Sequence, residues 1–476
     1  MSENKTVYIT TAIDYVNSIP HVGHAVEKIQ ADVLARQYRQ KNDVFFLSGV
    51  DENSLKNVLA AKKAGMDTAD FVAKNSSEFE GLKELLNLSY DKFIHTTSKQ
   101  HFDGCKKMWQ ALKPEDLYKK NYKGYYCVGC EEFKTEADLC DGKCPEHDSP
   151  LEIVEEENYF FKLSNYQEKL LELIENDEIE IIPSFRRNET LSFIRGGLED
   201  FSVSRSKERA QNWGVPVPGD EDQIMYVWVD ALANYITALG YSSDDDEYKK
   251  FWLNGDNITH MIGKGIMRFH AVYWIALLLS AGLRLPKKIY VHEYLTIDGK
   301  KMSKSIGNVI FPQEIIDRYG RDATRYILLS SLPYNSDGDL TWEKMDAKYT
   351  ADLCNGIGNL NQRVLSMINR YGIELHTFES DPINTAEYIE KFKFAEGLEQ
   401  VINSVGQVNR MIDDEKPWEK IKSGENKAAE ATLNQAYSEL KQIASSLDVF
   451  MPETAEKMKI QLETLKPEPL FPRIES

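Results

Sequence analysis

Along the first hundred or so residues the hydrophobic positions switch between two periods. The β-branched run "TVYIT" predicts a strand, and "VEKIQADVLARQYRQ", with apolar residues at helical spacing, predicts a helix opening close to His21. "DVFFLSGVDE" predicts a second strand that ends in acidic residues. This alternation over residues 6–115 predicts a parallel α/β sheet. Residues 116–183 differ, with close cysteines, Gly/Asp turns and the hairpin-like "EIVEEENYFFKL", and predict a small insertion. The α/β pattern returns in "QIMYVWVDALANYITAL" and "NITHMIGKGIMRFHAVYWIALLLSAGL", followed by the strand "KIYVH". After Thr341 the strand signals largely stop, and the amphipathic stretches that follow predict an antiparallel helix bundle. The expected fold is α/β: a Rossmann-like parallel sheet split by an insert and followed by an α-helical bundle.

At 476 residues the chain exceeds one hydrophobic core, so several domains are expected. "MSENKTVYITT" lacks the charged-then-apolar pattern of a signal peptide, and "AVYWIALLLSAGL" is too short to span a bilayer. A cytoplasmic enzyme is the expectation. The net charge of −19 argues against a nonspecific polyanion binder, although local basic surface can still contact phosphate. Of six cysteines, four fall between Cys127 and Cys144, a clustering that suggests metal rather than disulfides.

Three constellations carry candidate chemistry. In "IPHVGHA", His21 and His24 stand at i and i+3 on the first turn of a predicted helix, with Gly23 between them. A helix N-terminus suits phosphate, and glycine lets a flat ring approach the backbone. Core histidines and metal ligands are the plainer alternatives. In "DGKKMSKSIGN", Lys300, Lys301 and Lys304 crowd a loop with Ser303 and Ser305, which suits phosphate oxygens or marks a solvated basic turn. Cys127-x2-Cys130 and Cys144-x2-His147 have the spacing of a tetrahedral Cys3His zinc site of the structural type, with Cys140 a competing ligand and a redox Cys127/Cys130 pair the alternative.

HVGH after the first strand and KMSKS far along the chain together resemble the two signature motifs of class I aminoacyl-tRNA synthetases. "YITTAIDYVNSIPHVGHA", "YYCVGCEEF", "GVPVPGD", "MYVWVDALANYITALGY", "IGKGIMRFHAVYW", "LTIDGKKMSKSIGNVI", "NLNQR", "KPW" and "PLFPRIE" are similar to the methionyl-tRNA synthetase family within that class, from about Tyr8 to Glu475. The resemblance implies ligation of methionine to tRNA(Met) through a methionyl-adenylate, with ATP and Mg²⁺ as substrate and a structural Zn²⁺. It implies a catalytic domain in two halves, 1–115 and 184–290, a zinc-binding insert over 116–183, a stem-contact region with the KMSKS loop over 291–345, and an anticodon-binding bundle over 346–476.

By the same resemblance, His21, Gly23, His24, Lys301, Ser303 and Lys304 bind ATP, and His21, His24, Lys301 and Lys304 are catalytic. The methionine pocket falls on Ala12, Ile13, Tyr15, Trp228, Ala231, Leu232, Tyr235, Ile266 and His270, with Asp51 holding the ammonium. An unbranched thioether packs well on aromatic rings, which Tyr15, Trp228 and Tyr235 supply. Asn359, Arg363 and Trp418 match the anticodon readers, since Asn and Arg read base edges and Trp stacks on an unpaired base. The family favours Cys144 and His147 as the second zinc pair, although it usually has cysteine at position 147. The chain departs from the pattern at Gly265, where the family generally has aspartate near the ATP ribose, and at Asp14, Asn53 and Ser54. A catalytically silent tRNA-binding paralogue and a nucleotidyltransferase acting on another acid are the competing functions, and a monomer is the expected state.

Overall fold

The protein is described by a computed structural model covering residues 5–127, 132–134, 139, 142–144, 151–302, 307–376 and 380–474. By internal contacts it divides into two compact bodies. The first comprises Met1–Pro20, Lys41–Leu82 and Ser89–His292, and the second His21–Gln40, Lys83–Leu88 and Glu293–Ser476.

The first body is built on a seven-stranded sheet. Its strands are β1 (Thr6–Thr11), β2 (Asp14–Tyr15), β3 (Asp43–Asp51), β4 (Lys92–His95), β7 (Glu180–Ile182), β8 (Asn257–Gly263) and β9 (Lys288–His292). The order is β2-β3-β1-β8-β9-β7, with β4 also pairing β3, and every pairing is parallel. Parallel strands are covered on both faces, which is why β1 is almost wholly buried from Val7 to Thr11. Its hydroxyls are satisfied inside: Tyr8 donates to Tyr235 O at 2.8 Å, and Thr10 Oγ1 lies 2.8 Å from His260 Nδ1. Because β3 lies on one side of β1 and β8 on the other, a topological switch point falls at the carboxyl ends of β1 and β8. Helices α2 (Lys99–Ala111), α3 (Val227–Thr237) and α4 (Phe269–Trp274, continued as Ile275–Ser280) belong to this body.

The insertion is a second, antiparallel sheet around β5 (Leu117–Cys127) and β6 (Glu152–Phe161), paired from Leu117↔Phe161 to Tyr126↔Glu152. The hairpin-like "EIVEEENYFFKL" supplies one strand, Glu152–Phe161, and its antiparallel partner lies upstream.

The second body holds α1 (Val22–Arg39) and the chain beyond Glu293. A small sheet joins Leu295–Ile297 to Lys300–Lys301 antiparallel and to Gly338–Asp339 parallel. The intervening turn has φ of 51° at Asp298 and 68° at Gly299, the two left-handed residues of a type I′ hairpin. Helices follow: α5 (Arg321–Ser330), α6 (Asn359–Tyr371), α7 (Phe394–Glu415), α8 (Pro417–Ser423) and α9 (Asn426–Leu447) among them. In α7, Leu398, Val401, Val405, Val408 and Ile412 recur at steps of three and four and are buried, as the amphipathic pattern requires.

A fully buried ion pair ties α5 to α1. Arg325 of α5 donates to Asp32 Oδ2 of α1 at 2.7 Å, to Phe450 O at 2.7 Å and to Leu86 O at 3.0 Å. Arg36 Nε donates to the same Asp32 oxygen at 2.7 Å. Both Arg325 and Asp32 side chains are 0% exposed.

Candidate functional site

In the second body the two signature motifs meet. His21 is the N-cap of α1, and its ring Nδ1 accepts the Gly23 N–H at 3.1 Å. His24 Nδ1 in turn accepts the His21 N–H at 3.1 Å, so the two rings form a reciprocal capping box. The rings stack with centroids 3.8 Å apart and 26° between planes. An imidazole that accepts at Nδ1 carries its proton on Nε2. Each histidine is thereby set as an Nε2–H donor at a helix N-terminus, where four backbone N–H groups lack intrahelical partners.

Gly23 is required by this arrangement. A Cβ there would lie 2.8 Å from His21 Cε1 and 3.3 Å from Met302 Cε. Val22 N–H donates to Ile310 O at 3.1 Å. Thus Met302, the second residue of the KMSKS motif, and Ile310, beyond its end, both bear on the first turn of α1. Lys301 is exposed, its ammonium 5.6 Å from the centre of the Tyr294 ring, and Asn308 donates to its carbonyl at 3.2 Å. Ser303 and Lys304 lie outside the described residues.

In the first body the switch point gathers the expected methionine-pocket residues. Ala12 and Ile13 follow β1, Ile266 follows β8, Asp51 ends β3, and Tyr15 is the register partner of Asp51. Trp228, Ala231, Leu232 and Tyr235 come from α3, and His270 from α4. Tyr15 meets Trp228 edge-on at 6.5 Å, and His270 meets Trp228 edge-on at 6.2 Å. His270 donates from Nδ1 to Ile266 O at 2.9 Å, so its Nε2 accepts the Tyr235 hydroxyl at 2.7 Å. These two contacts fix the orientation of the ring beside Trp228. Beneath it His260 stacks on Tyr235 at 4.1 Å, and burial pushes its pKa well down, with His270 adding to the effect.

Two contributors escaped the sequence reading. Phe269 stacks on Trp228 with centroids 3.8 Å apart and 3° between planes; its place beside His270 in "RFHAVYW" was the available signal. His260 is a lone histidine inside a strand, and nothing in its pattern separates it from a core residue.

Next to Asp51, Glu52 is buried and accepts from Ser76 Oγ at 2.6 Å, His95 Nδ1 at 2.9 Å and Thr97 N at 3.0 Å. Burial pushes the Glu52 carboxyl up, but the bonds from His95, Ser76 and Thr97 outweigh it and hold it below its ordinary 4.5. The Glu52 bond raises His95 above 6.5 against the opposing effect of its partial burial. A depressed acid stabilises the fold above its unfolded pKa and loses this as pH falls; a raised base does so below its unfolded pKa and loses it as pH rises. The pair therefore contributes fully between about pH 4.5 and 6.5. The stability gap between parent and His95→Asn in urea unfolding is expected to be widest in that window and to shrink on both sides. A gap that does not vary with pH would contradict it.

The described residues include one other cluster of metal-ligating types, His101, Cys105 and Asp230. His101 Nε2 lies 2.7 Å from Asp230 Oδ1 and 3.2 Å from Cys105 Sγ. Ligands of a tetrahedral zinc at about 2.0–2.3 Å stand roughly 3.3–3.8 Å apart. The closer spacing is that of hydrogen bonds, and the cluster is a buried network that orients α3. Of the expected zinc ligands, Cys127 closes β5 and Cys144 is also buried, and neither is in a disulfide. Cys130, His147 and the competing Cys140 lie outside the described residues.

In the helical bundle, Asn359 and Arg363 share one face of α6, and Asn359 is exposed. The Arg363 guanidinium sits 5.2 Å from the centre of the Trp418 ring and bonds Asp413 at 2.6 Å. The three expected anticodon readers thus lie on α6 and α8, with two of them in contact. No helix among the described residues is long and apolar enough to cross a membrane.

Comparison with known proteins gives a consistent set of relatives. The family described as tRNA synthetases class I (M) matches residues 7–152 and 138–365. The methionine–tRNA ligase of Brucella suis is 42% identical over 96% of this chain and 92% of its own length. That of Caldanaerobacter subterraneus subsp. tengcongensis is 41% identical over 96% of this chain and 74% of its own. Among solved structures, Mycobacterium tuberculosis methionyl-tRNA synthetase in complex with methionyl-adenylate superposes with a TM-score of 0.90 at 37% identity, covering 98% of this chain and 100% of that one. Its apo form gives a TM-score of 0.83 at 34% identity.

Proposed function

We infer the chemistry of this chain from its membership: it belongs to the class I tRNA synthetases, and within them to the methionine–tRNA ligases. It ligates methionine to tRNA with ATP, through a methionyl-adenylate. The observation that supports the assignment of roles is the approach of the KMSKS segment to the HVGH turn: Val22 N–H bonds Ile310 O, and Met302 Cε lies 3.3 Å from where a Cβ on Gly23 would stand.

In the first step the methionine carboxylate, ionised at neutral pH, attacks the α-phosphorus of ATP, and pyrophosphate leaves. No strong general base is needed. The work is positioning and stabilisation of charge on phosphoryl oxygens. His21 and His24 present Nε2–H donors to those oxygens, and Gly23 permits their stacking. Lys301, Ser303 and Lys304 hold the leaving pyrophosphate, whose charge the Mg²⁺ accompanying ATP shares. Asp51 pairs with the methionine ammonium. The thioether lies among Ala12, Ile13, Tyr15, Trp228, Ala231, Leu232, Tyr235, Ile266 and His270, with Phe269 backing Trp228.

In the second step the terminal adenosine hydroxyl of the tRNA attacks the adenylate carbonyl and AMP leaves. A cavity of about 590 Å³ in the first body, with Tyr118, Tyr126, Tyr226, Lys120, Arg205 and Arg268 in its wall, has the rings and cations that suit unstacked bases. Asn359, Arg363 and Trp418 read the anticodon, and the Arg363–Trp418 contact supports this by pre-ordering two readers. The protein acts in the cytoplasm as a monomer.

Cys127, Cys130, Cys144 and His147 hold a zinc that organises the insertion. The burial of Cys127 and Cys144 suits such a site, because a closed set of four ligands excludes water. Metal analysis is expected to find one zinc per chain, reduced in Cys144→Ala; zinc retained in full by that variant rejects the ligand set.

The test of the function is charging of tRNA with a CAU anticodon by methionine and ATP. Charging that vanishes when the anticodon is changed supports the reading, and methionine-independent ATP–pyrophosphate exchange opposes it.

A further inference from the structure

Asn53 lies two residues beyond Asp51 and is buried. Its backbone N–H donates to Asp51 Oδ1 at 3.2 Å, and its side-chain amide donates to Asp230 Oδ2 at 2.8 Å and to Thr96 O at 3.0 Å. Asp230 stands on α3 between Trp228 and Ala231 and is itself buried. Its other oxygen is bonded to His101 Nε2 at 2.7 Å, and His101 Nδ1 is bonded to Thr237 Oγ1 at 2.7 Å, at the last residue of α3. Asn57 Nδ2 adds a bond to Asp51 O at 2.9 Å. One residue therefore joins the end of β3, which carries Asp51 and is bonded by the Asn53 backbone, to the helix that carries Trp228, Ala231, Leu232 and Tyr235, which is bonded by its side chain.

We propose that Asn53 is a positioning residue for methionine, fixing the separation between the carboxylate that pairs with its ammonium and the helix face that packs its thioether. This rests on the reading of Asp51 and α3 given above. A ligand held at both ends is sensitive to the span between the holders, and Asp230 is a buried carboxylate that needs a donor on each oxygen. Without the Asn53 amide, Oδ2 loses a charge-assisted bond and α3 moves or admits water. The loss falls on binding of the amino acid rather than on the phosphoryl chemistry, so it separates in KM and kcat.

In methionine-dependent ATP–pyrophosphate exchange with the full chain, Asn53→Ala is expected to raise the KM for methionine about tenfold or more, the scale of one lost charge-assisted hydrogen bond. The kcat and the KM for ATP stay within about threefold of the parent. Asn53→Asp is worse, because two carboxylates then face each other. The double variant Asn53→Asp/Asp230→Asn reverses donor and acceptor between the two side chains and leaves an amide oxygen for His101, while the Thr96 carbonyl loses its donor, so it recovers part of the methionine KM lost in Asn53→Asp.

An unchanged methionine KM in Asn53→Ala, a fall in kcat with both KM values altered alike, or a double variant no better than Asn53→Asp each overturns the proposal. Asp51→Asn, measured in parallel, separates the two levels. If it leaves the methionine KM unchanged, the pocket reading fails and the proposal with it. If it raises that KM while Asn53→Ala does not, only the positioning role fails.

Discussion

Replacing His21 with alanine is expected to lower methionine-dependent ATP–pyrophosphate exchange by about 10²–10³-fold, the usual cost of removing one preorganised donor to a phosphoryl or oxyanion centre. The geometry explains why a single histidine carries so much. His21 is locked by the Gly23 N–H at Nδ1 and by stacking on His24, so its Nε2–H is aimed before substrate arrives. No reorganisation is then needed during the reaction. His21 is also the N-cap of α1, and its loss weakens the helix start by about 1 kcal/mol. His21→Asn separates the two roles, because asparagine is a strong N-cap but offers no ring donor. That variant is expected to unfold near the parent temperature while exchange stays lost. Exchange within threefold of the parent in both variants would remove His21 from the catalytic set.

Arg325→Met is expected to destabilise the second body by about 3–5 kcal/mol, the typical result of breaking one side of a buried ion pair. Methionine fills much of the arginine volume but donates nothing. Asp32 loses one of its two arginine partners and keeps Arg36, and the carbonyls of Phe450 and Leu86 lose a donor each. Arg325→Lys keeps the charge without the planar fork and is expected to recover only part of the loss. Because Asp32 is on α1, whose first turn carries His21 and His24, exchange activity of Arg325→Met is expected to fall at temperatures below its global unfolding. A melting profile indistinguishable from the parent would show that the pair contributes no net stability.

The local patterns foretold much of this. "TVYIT" and "DVFFLSGVDE" are strands at Thr6–Thr11 and Asp43–Asp51, and the helix expected from "VEKIQADVLARQYRQ" spans Val22–Arg39. The C-terminal stretches are helices because their apolar residues recur at one helical face. The hairpin-like "EIVEEENYFFKL" did not show its own partner, because a single strand and a hairpin arm share the same alternating pattern. Only the partner, here Leu117–Cys127, distinguishes them. The aromatic pocket was legible mainly by resemblance, since "MYVWVDALANY" alone is indistinguishable from a core helix.

By itself the sequence determined the alternation of strands and helices, the helical C-terminal region, the glycine between two histidines, and the family through its paired motifs. These are local properties, set by side-chain period, backbone freedom and short spacings. Only the tertiary structure decided that Ile310 bonds the first turn of α1 and that Met302 lies beside the space Gly23 leaves open. It also decided that His21 and His24 cap each other so that both protons sit on Nε2, and that Asn53 spans from Asp51 to Asp230. Such relations join residues far apart in the chain, or depend on ring orientations that no residue pattern encodes. They come into being when the backbone closes and each buried polar group must find a partner.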